Sequence, residues 1–171
     1  KIGLIKVNRF AETTYQEFIQ GIKSLESQGA EKLIVDLRGN SGGYLDLVYR
    51  MVDEFLPENS LIVYTKGKSR NRTEYRSSDR GIWKDKDVAV LIDEFSASAS
   101  EIFAGAIQDN DRGLVIGRRS FGKGLVQEQI PFFDGSALRL TVARFYTPSG
   151  RSIQKSYAEG NEAYFMDYHN R

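Results

Sequence analysis

Ile92-Asp93-Glu94-Phe95-Ser96-Ala97-Ser98-Ala99-Ser100-Glu101-Ile102-Phe103-Ala104-Gly105-Ala106 takes over from an apolar run that begins at Val88. A cluster of small hydroxyl residues leads directly into a helical pattern, in which Ile102, Phe103, Ala106 and Ile107 share one face. The stretch therefore predicts a strand, a tight turn and a helix, with a serine where turn meets helix. Backbone N–H groups at a helix N-terminus lack partners and carry partial positive charge. A serine held there can attack a carbonyl while neighbouring amides receive the oxyanion. Ser96, Ser98 and Ser100 all satisfy this pattern, and each also fits ordinary N-capping. Glu101 reads as a first-turn carboxylate favoured by the helix dipole.

Such a serine needs a base. The only histidine, His169, lies in a polar C-terminal stretch, and there is no cysteine. A lysine is the remaining candidate. Ser120-Phe121-Gly122-Lys123-Gly124 places one between two glycines. Glycine permits positive φ and close backbone approach. An ammonium beside an aromatic ring is expected to be partly desolvated, which lowers its pKa and makes it a usable base. A solvated turn lysine is the plainer reading of Lys123. A phosphate loop is not supported, because position 124 is Gly rather than Ser or Thr and no helix pattern follows.

Outward from the serine turn, strands are expected at 2–7, 32–37, 61–65, 88–92 and 114–117, and helices at 12–28, 44–56 and from the serine cluster to 109. Strands alternating with helices argue for βαβ units and a mainly parallel sheet. A glycine-bearing turn, Arg38-Gly39-Asn40-Ser41-Gly42-Gly43, follows the second strand. In an open α/β sheet such turns gather at the carboxyl ends of the strands, where sites form. From Leu125 the pattern changes to an antiparallel hairpin, 125–130 and 137–146, turning at Asp134-Gly135. The basic stretch 66–80 reads as a solvated hairpin or loop, with a binding lid as the lesser alternative. After Thr147 the periodicity fades, but Tyr157, Tyr164, Phe165, Met166 and Tyr168 keep the end of the chain aromatic, so it is expected to dock on the body.

The chain has 171 residues, 40% hydrophobic and 27% charged, with net charge +1. That suits one globular domain with a sizeable core. It offers no field that would favour nucleic acid or membrane. Without cysteine there are no disulfides, thiol nucleophiles or zinc thiolate sites. No apolar run is long enough to span a bilayer, and no signal peptide is present. A start at Lys1 rather than Met reads as a piece of a longer protein.

The segments LIVDLRGNSGG (33–43), VLIDEFSASASEIFAGAIQDN (90–110) and FGKGLVQ (121–127) occur in an order and at separations that together resemble the carboxyl-terminal processing (tail-specific) proteases of peptidase family S41. The resemblance covers residues 1–154 as a catalytic core and leaves 155–171 as a tail. It implies an α/β, ClpP/crotonase-like core of ββα units, with a mainly parallel sheet plus the C-terminal hairpin. It implies a serine endopeptidase in which Ser98 is the nucleophile, Lys123 the base and Gln127 its support. The oxyanion donors would be the Ala99 amide and one amide of Gly42-Gly43, with Asp36, Arg38 and Asn40 as scaffold. It implies polypeptide substrates, cleaved near their C-termini, and a bacterial envelope or periplasmic location. No metal, cofactor or nucleic acid is implied, and the oligomeric state is left open. Two other readings use the same fold: a non-catalytic ligand- or peptide-binding module and an acyl-CoA hydratase-like enzyme. Members of the family usually carry a PDZ domain, and none is recognisable here.

Overall fold

The structure is a computed structural model that describes residues 1–169, with side chains through residue 167. Four strands, β1 (Ile2–Lys6), β2 (Lys32–Asp36), β5 (Asp87–Ile92) and β6 (Leu114–Gly117), form a wholly parallel sheet in the order β1-β2-β5-β6. Their register places Leu4, Ile34, Ala89 and Leu114 in one row. The inward positions Leu33, Val35, Val88 and Val90 are buried. They join one core with Phe18 and Ile22 of α1 (Thr14–Ser27), Val48, Met51 and Val52 of α2 (Leu45–Asp53), and Ile102, Phe103 and Ile107 of α3 (Ala99–Asp109).

The α1 pattern succeeds for a simple reason. Phe18 and Ile22 fall one turn apart and reach the core, and Gly29, at φ 82°, lets the chain leave the helix. In α3 every residue from Ala99 to Ile107 is buried, so it is a central helix rather than an amphipathic surface one. It packs against β5 and β6 on one side and β3 (Leu61–Lys66) on the other.

Three points of the sequence reading are decided here. First, β3 does not extend the parallel sheet. It pairs antiparallel with β8 (Ala137–Tyr146) and with β4 (Thr73–Arg76), giving a second sheet in the order β4-β3-β8-β7, where β7 is Leu125–Pro131. The hairpin is thus half of a four-stranded sheet. Second, of the hairpin and loop readings of the basic stretch the hairpin holds: the stretch contains β4, and Glu74 of that strand pairs with Arg76 and with Arg72 just before it. Third, residues Gly160–His169 form a helix, α4. Tyr164 of that helix stacks on Tyr157 at 4.5 Å between centroids. The side chains of Tyr168 and His169 lie outside the described residues.

Candidate active site

Strands β2 and β5 are adjacent and parallel, so the turns at their carboxyl ends stand side by side. The glycine turn is built from its own side chains. Asp36 accepts from the Arg38 backbone N–H (3.0 Å), Nε (2.9 Å) and Nη2 (2.8 Å). The Arg38 guanidinium holds the Asp36 carboxyl below its ordinary pKa. Asn40, fully buried, donates to Val7 O at 2.7 Å and accepts the Gly42 N–H at 2.8 Å.

Asn40 also ties this turn to the next. Its carbonyl accepts Ala97 N–H at 3.0 Å and Ser100 Oγ at 2.9 Å. Gly42, at φ 105°, lies against the serine turn: a Cβ there would fall 2.9 Å from Ser98 Cβ and 3.1 Å from Ala99 N. Only glycine fits that approach.

Burial separates the three serines. Ser96 and Ser100 are fully buried, and their hydroxyls donate to Leu37 O and Asn40 O, both at 2.9 Å. Ser98 is half-buried, at φ 57° and ψ −113°, a sparsely populated conformation for a residue with a side chain.

The lysine turn reaches this site through Glu101. That carboxylate, 7% exposed, accepts four donors. Oε1 takes Ser120 Oγ and Gly122 N–H, both at 2.7 Å. Oε2 takes Ser98 N–H at 2.9 Å and Lys123 N–H at 2.8 Å. The backbone nitrogens of Ser98 and Lys123 therefore share one oxygen and cannot be farther apart than those two bonds laid end to end. Phe121 N–H donates to Ser96 O at 3.0 Å, a second tie between the turns. Burial raises the Glu101 pKa, and the four donors oppose that rise. Glu101 joins the two turns, beyond the dipole role read from sequence; its position three residues after Ser98, the spacing of a capping box, was the available signal.

Two expectations meet a different geometry. The Lys123 side chain is exposed, not desolvated beside Phe121. The glycines on either side are buried, but they hold the backbone and leave the side chain outward. Gln127 is exposed on β7, just past a register shift at Val126/Gln127, and its Nε2 donates to Thr141 Oγ1 at 3.5 Å. Among the described residues no hydrogen bond joins it to Lys123. Of the proposed oxyanion amides, Gly42 N–H is committed to Asn40, so Gly43 and Ala99 are the ones to consider. No group of three or more His, Cys, Asp or Glu among the described residues is placed to hold a metal ion. Gln154, buried against the lysine turn, had no signal in the sequence.

A parallel α/β sheet with a strained serine at a helix N-terminus, bordered by a glycine turn and a lysine turn, defines a class of hydrolase-like cores. Within that class, the pattern of peptidase family S41 matches residues 1–162, and the chain belongs to that family. The chain is 38% identical over 154 residues to a carboxyl-terminal-processing protease of Synechocystis sp., with 90% of this chain and 36% of the relative covered. It is 44% identical over 158 residues to a carboxy-terminal-processing protease of Bartonella bacilliformis, with the same two shares covered. Among solved structures, a photosystem II D1 C-terminal processing protease superposes with a TM-score of 0.83 at 33% identity, covering 90% of this chain and 39% of that one. The chain spans 36% of the length of these two curated relatives.

Proposed function

We propose that this chain is the catalytic core of a serine endopeptidase that cleaves polypeptides near their C-termini. One observation carries the reading: a single Glu101 oxygen holds both the Ser98 and the Lys123 backbone nitrogens, so the half-exposed serine and the lysine leave neighbouring points of the same scaffold. Ser98 is the nucleophile. Lys123, as the neutral amine, takes its proton as Oγ adds to the scissile carbonyl, then returns it to the leaving amine. The Ala99 and Gly43 amides receive the oxyanion, and water releases the acyl group by the same route in reverse. Reaction requires the Lys123 side chain to fold from solvent onto Ser98, with Gln127 turning from Thr141 to support it.

The test is cleavage of an unstructured peptide with an apolar C-terminal tail by the chain, by Ser98→Ala and by Lys123→Ala. Both variants are expected to lose at least about a thousandfold in kcat. The rate should rise from mildly acidic to alkaline pH, because only the neutral amine accepts a proton. Equal cleavage by all three proteins, or a flat profile, would contradict the assignment. The outward Lys123 favours one second reading, a non-catalytic peptide-binding module, which predicts tail-peptide binding without turnover. The family resemblance extends the proposal to a bacterial envelope or periplasmic location, tested by fractionating cells that carry the tagged full-length protein.

A further inference from the structure

Every backbone polar group of the Gly122–Gly124 turn except the Lys123 carbonyl has a partner, and the partners come from two separate segments. Glu101 takes Gly122 N–H and Lys123 N–H from the α3 side. From the end of β8 and the segment that runs on from it, Lys155 N–H donates to Gly122 O at 3.0 Å, and Phe145 N–H donates to Gly124 O at 2.8 Å. The remaining donor, Gly124 N–H, goes to the Oε1 of Gln154 at 3.0 Å. Gln154 is 6% exposed. Its Nε2 donates to Lys155 O at 3.0 Å and reaches the hydroxyl of Tyr164 in α4 at 3.5 Å. A Cβ on Gly124 would fall 2.8 Å from Ile153 Cβ, so the turn is pressed directly onto this segment. Asp167 of α4 holds the neighbouring Lys155 at 2.7 Å.

We propose that Gln154 is a positioning residue for the Lys123 base: with α4 behind it, it clamps the lysine turn against Glu101, so that Lys123 springs from a fixed backbone. This rests on Lys123 being the base. The physical reason is one of tolerance. A lysine has four rotatable bonds, and a turn free to shift by an ångström would spread the ammonium over positions from which Ser98 is out of reach. A buried N–H must also have a partner, and Gln154 supplies the one that lies next to the lysine.

The experiment uses the full chain and compares Gln154→Met, which keeps the volume and removes all three side-chain hydrogen bonds, with Gln154→Glu, which keeps the acceptor facing Gly124 N–H. Two readouts are taken: peptide kinetics, and amide hydrogen exchange over residues 121–126. Gln154→Met is expected to exchange faster in that segment alone, and to lose roughly tenfold in kcat with KM within about twofold. Gln154→Glu should keep the protection of residues 121–126 and more of kcat than Gln154→Met, because the acceptor for Gly124 N–H survives; its second oxygen, now facing Lys155 O, costs overall stability instead. Unchanged exchange and unchanged kcat in Gln154→Met would overturn the proposal, as would an equal fall in both variants. If Gln154→Met does not fold, Gln154→Glu decides: a protected, active turn supports the acceptor role, and an unprotected one overturns it. Turnover that survives Ser98→Ala would instead refute the peptidase reading, while the exchange data would still decide whether Gln154 holds the turn.

Discussion

Ser98 shows how much a single residue can carry. Its φ of 57° aims the side chain out of the turn at the cost of backbone strain. Replacing it with glycine relieves that strain, so Ser98→Gly is expected to stabilise the chain by about 1 kcal/mol, a rise in Tm of roughly 2–4 °C by calorimetry, while abolishing turnover. An unchanged or lower Tm would count against a strained serine. The hydroxyl cluster was legible in sequence, and the family resemblance named Ser98, but the local pattern could not choose among Ser96, Ser98 and Ser100, because their burial depends on carbonyls of Leu37 and Asn40 brought in from a distant turn. Glu101 is a second case. Glu101→Gln keeps the shape but turns an amide NH2 toward a pair of donors, either Ser98 and Lys123 N–H or Ser120 and Gly122. The expected loss is about 2 kcal/mol in denaturant unfolding, even though a buried charge has been removed. Equal stability would mean that the four hydrogen bonds do not hold the two turns together.

At the scale of elements, the site is two strand-to-helix turns and one strand-to-strand turn. The first two were readable because apolar runs, small residues and helical periodicity are local. The glycine turn depends on Gly42: Gly42→Ala would press a methyl group onto Ser98 and Ala99 and should cost about 2 kcal/mol and most of the activity. The same turn carries a pH signature. The Asp36 pKa lies below its ordinary value, so its contribution to stability is present above pH ~4 and fades as pH falls through the lower folded value. The stability gap between the chain and Asp36→Asn should therefore be full at neutral pH and close in strong acid; a gap independent of pH would contradict the pairing with Arg38. The pairing of β3 with β8 was not legible, since strands 70 or more residues apart in sequence leave no local mark. The β4 stretch was legible only as a hairpin or loop, because its charged residues fit both, and α4 was not legible, because its polar and apolar residues lack a face.

At the scale of the molecule, the parallel sheet is covered by helices on one side, and the β7–β8 ribbon extends from the second sheet. Phe132 and Phe133 at its tip are 52% and 114% exposed. Exposed apolar tips and free strand edges favour association. The double variant Phe132→Ser/Phe133→Ser should sediment with less concentration-dependent association than the parent chain, with Tm within about 1 °C; identical sedimentation would place any self-contact elsewhere. The proposed pairing of the Ser98 hydroxyl with the Lys123 amine can be read directly. Treat the chain with a serine-directed fluorophosphonate and map the adduct by mass spectrometry, in the parent and in Lys123→Met. The account predicts a single adduct on Ser98, its formation slowed by orders of magnitude without the lysine. An adduct on Ser96 or Ser100, or labelling of Ser98 at the same rate in both proteins, would contradict it.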